Sequence, residues 1–117
     1  MTMQNRKPRY ELKLQIVYDD GNSFMSGPVV DISETGVFIE TVMPLEPGTA
    51  VRLTPLVPEE VGLFELSGVV VRKFEYDLDN HFDRIPGMGV RFDAVPAEAQ
   101  PQLRALIERG KAKAKLG

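Results

Sequence analysis

The sequence predicts a mostly β domain: six short strands forming an antiparallel barrel or sandwich, followed by one C-terminal helix. Two observations carry that expectation. Short apolar or alternating runs recur along the chain between clusters of Gly, Pro, Asp and Asn, the spacing of strands and turns. Near the end the period changes, with Leu103, Leu106 and Ile107 at helical spacing. The 117 residues suit one domain, and 43% hydrophobic residues suffice to bury a core.

Each element has its own signature. Tyr10 to Tyr18 alternates, with Leu12, Leu14, Ile16 and Tyr18 on one face and Glu11, Lys13 and Gln15 on the other. Asp19-Asp20-Gly21-Asn22 follows, and an Asp-Gly pair is a hairpin signal because such turns need positive φ. A second strand runs from about Ser23 to Ser33, where Gly27-Pro28 predicts a bulge or an edge, since proline cannot donate to a ladder. Val37 to Thr41 is a third strand and Ala50 to Thr54 a short fourth, separated by Pro44, Pro47 and Gly48. A fifth strand covers about Phe64 to Phe74, and Met88 to Phe92 a sixth, entered through Gly87 and Gly89 where the backbone must bend or pack closely. Pro101 belongs in or before the first turn of the helix, which is expected to stop near Gly110 and leave "KAKAKLG" as a frayed basic tail.

Charge narrows the function classes. The net charge is −3, but the two ends are basic and the middle is acidic. Arg52, Arg72, Lys73, Arg84 and Arg91 face 15 of the 17 acids between residues 14 and 103, a net of −10. A long polyanion would meet repulsion there, so general nucleic-acid binding is not expected. Cysteine is absent, which removes disulfides and thiolate chemistry. Residues 1–13 have no apolar segment of the signal-peptide kind, and no run approaches the ~18 apolar residues of a membrane span. A soluble, cytoplasmic chain is expected, without membrane insertion and as a monomer or homodimer.

Enzyme chemistry finds little support. The one histidine, His81, lies in an acidic loop, and the carboxylates Asp77, Asp79 and Asp83 fail the calcium-loop pattern, with Phe82 at the glycine position and Met88 at the terminal glutamate position. No phosphate-binding glycine loop is present, and soft zinc ligands are missing. Neither an enzyme nor a metal or cofactor site is expected.

Two stretches remain. In "NRKPR", Arg6 and Arg9 flank Lys7-Pro8 just ahead of the first strand. Guanidinium forks match phosphate oxygens and the O6/N7 edge of guanine, and Pro8 restricts Lys7 to extended backbone. The bland reading is a solvated basic terminus. In "VVDISETGVFIE", Asp31 and Ser33 share one strand face, with Val30 and Ile32 toward the core. A carboxylate can accept guanine N1–H and N2–H₂ together, and Ser33 adds a hydroxyl beside it. Gly36 would allow a positive φ or a close approach of ligand to backbone. The bland reading is a polar strand face closed by a serine turn.

Together these residues resemble the PilZ domain family, whose pattern is R-x-x-x-R, a strand, and then [D/N]-x-S-x-x-G. "DISETG" fits the second motif at Asp31, Ser33 and Gly36, and "GMGVRF" followed by "PAEAQPQLRALI" is similar to the closing strand and helix. The resemblance implies a six-stranded antiparallel barrel over about residues 10–93, a flexible N-terminal arm at 1–9, a helix at about 97–110 and a basic tail at 111–117. It also implies a receptor for cyclic di-GMP that signals by ordering its arm and touching a protein partner. The implied ligand residues are Arg6, Arg9, Asp31, Ser33 and Gly36, with Asn5, Lys7 and Arg72 as further candidates. Some members of the family place an aromatic near the position of Arg72, and an arginine plane can also stack on a base. The departure is Asn5, which stands where the first arginine belongs, with Arg6 one residue late. The alternative implied by that departure is a degenerate module that mediates protein contacts without nucleotide.

Overall fold

The computed structural model describes residues 14–59, 61–75 and 85–116, with side chains to residue 109. Six strands close into a barrel: β1 (Gln15–Asp19), β2 (Phe24–Ile32), β3 (Gly36–Glu40), β4 (Ala50–Leu56), β5 (Leu66–Phe74) and β6 (Gly87–Phe92), in the order β1-β2-β3-β6-β5-β4. Every neighbouring pair is antiparallel. The barrel, not the sandwich, is therefore the architecture, and closure removes the exposed edges an open sheet would carry.

Alternation builds the interior. Leu14, Ile16 and Tyr18 are buried while Gln15 is exposed, as the period of two requires. Ile39, Leu53, Leu66, Val70 and Met88 meet them inside, and α1 (Gln100–Leu116) adds Leu103 and Leu106 to the same cluster. Phe64 lies just ahead of β5 yet stays in the core. No helix among the described residues is long and apolar enough to cross a membrane.

Both strand prolines sit where no ladder bond is lost. β4 runs past the expected Thr54 to Leu56, but β5 pairs with it only through Leu53, so Pro55 has β1 on one side alone. Pro28 is the last β2 residue paired with β1, and Val29 begins the pairing with β3. The expected bulge follows at once: Val29 faces Ile39 and Asp31 faces Phe38, leaving Val30 as the extra residue. That corrects the assignment of Val30 to the core. Val29 takes the buried position at 7% exposure, and Val30 is only half-buried. The extra residue resets the alternation, so Asp31 still points outward and Ile32 inward.

The first hairpin has a four-residue loop, closed by the pair Asp19 and Phe24. Gly21 takes φ of 96°, its N–H donating to the Asp19 carboxylate at 2.7 Å. The Asp20 carboxylate accepts from the N–H groups of Asn22 and Ser23, and these bonds hold its pKa below the ordinary value. A lowered folded-state pKa means stability present above the unfolded pKa and lost as pH falls through the folded one. Asp20→Asn is therefore expected to flatten the acid limb of a melting-temperature profile below about pH 4.

The helix departs from expectation at its far end. Pro101 falls in the first turn, as predicted, but the helix continues through Gly110 to Leu116 instead of stopping. Glycine inside a helix costs only about 1 kcal/mol relative to alanine, and the alanines and lysines that follow are good helix formers. The residues expected to fray thus carry helical backbone. The acidic loop with His81, Asp77, Asp79 and Asp83 lies outside the described residues, as does the arm with Asn5, Arg6, Lys7 and Arg9.

Candidate functional site

The turn from β2 to β3 is built by Ser33. Its N–H donates to the Gly36 carbonyl at 2.9 Å, and its hydroxyl accepts from the N–H groups of Thr35 and Gly36 at 3.2 and 3.3 Å. The hydroxyl also lies 3.2 Å from Thr35 Oγ1 and 3.4 Å from the Gly36 carbonyl. Its hydrogen-bonding capacity is thus largely spent on the turn itself. Asp31 is different: it is exposed and makes no hydrogen bond or ion pair among the described residues.

Gly36 has its glycine for a reason the sequence did not suggest. Its φ is not among the positive ones, and a Cβ there would sit 2.5 Å from the Val90 carbonyl oxygen. Close approach of β3 to β6, not a left-handed turn, demands the missing side chain.

Strand register assembles the rest of the face. Asp31 pairs with Phe38, Phe38 with Gly89, and Gly89 with Arg72. Directly opposed residues share a side of the sheet, so these four form one row across β2, β3, β6 and β5 on the outside of the barrel. The glycines of β6 leave its outer surface bare. The Phe38 ring lies where a Gly87 Cβ would be, with ring carbons 2.9 Å from that point, and the Arg72 stem lies 3.1 Å from the corresponding point on Gly89. Phe38 and Phe74 stand with centroids 5.9 Å apart and planes tilted by 50°. The next row sets Gly36 opposite Arg91, and Arg91 opposite Val69.

The cations of β5 and β6 are not equivalent. Lys73 bonds Glu46 and Glu75, and these carboxylates raise its pKa above the ordinary lysine value, so its charge is locally committed. Arg72, by contrast, has no ion pair among the described residues, and neither has Arg91. The ordinary use of a strand arginine, a surface salt bridge, is thus not made by Arg72 among the described residues. The outer face offers a free carboxylate, two free guanidinium forks and an aromatic pair around a bare strand. Among the described residues no group of three or more His, Cys, Asp or Glu side chains could hold a metal ion.

Comparison with known proteins decides the family. The PilZ domain model matches residues 4–109, nearly the whole chain. The chain belongs to the PilZ domain family. PilZ domains are receptor and adaptor modules, and the match takes in the "NRKPR" stretch as well as "DISETG". The PilZ fold also appears in the solved structure of the Bacillus subtilis inhibitor of motility MotI/DgrA, with a TM-score of 0.68 and 22% identity. That likeness covers 95% of this chain and 53% of the other, so this PilZ chain spans about half the length of MotI/DgrA. At that identity the likeness speaks for the fold. No curated protein sequence matches the chain.

Of the residues that sequence reading singled out, Asp31, Ser33, Gly36 and Arg72 come to this one face of the PilZ barrel. Phe38, Phe74 and Arg91 were missed as site residues. Phe38 reads in sequence as one more apolar strand residue. The signal that could have found it is the pair of β6 glycines opposite, which leave room for a ring.

Proposed function

We propose that this PilZ domain is a receptor for cyclic di-GMP and that the ligand binds the outer face of β2, β3, β6 and β5. The observation that carries the reading is Asp31, an exposed and unpartnered carboxylate in the row that ends on the unpaired Arg72. Asp31 accepts the N1–H and N2–H₂ edge of one guanine, and Arg72 supplies a planar fork that stacks on a base or takes phosphate oxygens. Phe38 and Phe74, packed against each other, together offer an apolar surface beside which a base can lie. Ser33 and Gly36 act mainly by holding the turn that aims Asp31 outward. From the arm, Arg9 and Arg6 close over the phosphates, with Lys7 adding charge and Asn5 at most a hydrogen bond.

The signal is the ordering of that arm. A ligand shifts such an equilibrium only by its differential affinity for the two states, and the arginine forks contact ligand only when the arm is down. The ordered arm then presents a new surface to a protein partner in the cytoplasm.

A second reading rests on a separate observation. Phe24, Val42 and Met43 are 75%, 68% and 75% exposed, and all lie toward the barrel end that carries the first hairpin and the loop after β3. Together with Asn5 at the first arginine position, they favour a protein-contact module that needs no nucleotide.

Amide-resolved NMR with added cyclic di-GMP separates the two. The receptor reading expects shifts at Asp31, Phe38, Gly89 and Arg72, and the protein-contact reading expects a spectrum that does not change. Asn5→Arg is expected to raise affinity about tenfold or more, the worth of one added charge-assisted contact. No gain in that variant would show that Arg6 already fills the role.

A further inference from the structure

Beyond the end of this face lies a cleft of about 500 Å³ between the β2–β3 turn, the end of β6 and α1. Glu34, Thr35, Arg91, Asp93 and Arg104 line it, over a floor that includes the buried Phe92 and Leu103. Backbone bonds tie the β2–β3 turn to the end of β6, and the residue after β6 to β5. The Phe92 N–H donates to the Thr35 carbonyl at 2.8 Å, and the Asp93 N–H to the Ser67 carbonyl at 2.8 Å. Arg91 and Arg104 nevertheless make no ion pair among the described residues, although two carboxylates line the same space.

Two unpaired forks, two carboxylates and an apolar floor form a set that fits one nucleotide. A cleft of this size lies within the usual range of small-ligand sites. We propose that it takes the second guanylate half of the cyclic dinucleotide whose first half lies at Asp31, and in this the inference rests on the receptor reading. Arg91 and Arg104 bind the phosphodiester oxygens, and Glu34 accepts from the base edge. Arg91 lies opposite Gly36, so its strand is two spacings from β2, roughly 10 Å, a gap that a ligand with two bases and two phosphates can bridge. No side chain stands on Gly36 to block the way. Such a ligand would join the turn directly to α1, which makes the helix a second element that senses occupancy. Arg91 would also supply a fork that the arm lacks at Asn5.

The test is calorimetric titration of the full chain with cyclic di-GMP, for the unaltered protein and for Arg91→Lys, Arg104→Ala and Asp31→Ala. Arg91→Lys keeps the charge and removes only the fork. Both arginine variants are expected to lose about tenfold or more in affinity without a change in melting temperature. The Nε–Hε resonances of Arg91 and Arg104 are expected to move on addition of ligand, which a purely structural role would not cause. Unchanged affinity in both variants, with Asp31→Ala still weakened, overturns the cleft assignment and leaves the receptor reading standing. An unaltered protein that binds nothing overturns both.

Discussion

Asp31→Ala is expected to weaken cyclic di-GMP binding by about 10- to 150-fold while leaving the melting temperature within about a degree of the unaltered protein. The affinity loss follows from removing a carboxylate that accepts two donors of one guanine, worth about 1.5–3 kcal/mol for a charge-assisted contact. The unchanged stability follows from its surroundings, since the Asp31 carboxylate is exposed and bonds no described residue. The split between the two readouts is what identifies a ligand group. If Asp31→Ala binds as the unaltered chain does, the assignment of the first guanine to Asp31 fails, whatever the rest of the face does.

Gly36→Ala is expected to lower stability. The added methyl would lie 2.5 Å from the Val90 carbonyl oxygen, a backbone atom held in the β3–β6 ladder, so neither neighbour can yield cheaply. Overpacking of this kind costs about 1–3 kcal/mol, and for a domain of this size each kcal/mol lowers the melting temperature by about 4 °C. Thermal unfolding followed by circular dichroism reads the effect directly. A variant that melts with the unaltered protein would show that the turn tolerates a side chain, and that the glycine of "DISETG" serves the ligand after all.

Local chemistry is what the sequence carries well. Asp19-Asp20-Gly21 announced the first hairpin because its carboxylates and its positive φ act within four residues of each other. The turn at Ser33 and the alternation of Leu14, Ile16 and Tyr18 are local in the same sense. Gly27-Pro28 signals a bulge but does not fix its position. Which residue is extra depends on the partner strand, and Val30 rather than Val29 became the unpaired one. The row from Asp31 to Arg72 lay further from view, because β3, β6 and β5 are neighbours in space and distant in the chain. Nothing near Phe38 in sequence says that Gly89 will stand opposite. Arg91 was hidden likewise: its role depends on facing Gly36 and on a cleft that α1 completes.

The same distinction explains the helix end. Gly110 is a local stop signal, yet the helix runs through it. The alanines and lysines beyond it are strong helix formers, and they outweigh one glycine.

The most direct test of the account is titration calorimetry of the unaltered chain with cyclic di-GMP at concentrations in the tens of micromolar. Saturable heat of binding, much reduced in Asp31→Ala, is the predicted result. No heat at those concentrations would contradict the receptor reading and leave the protein-contact module as the function of this fold.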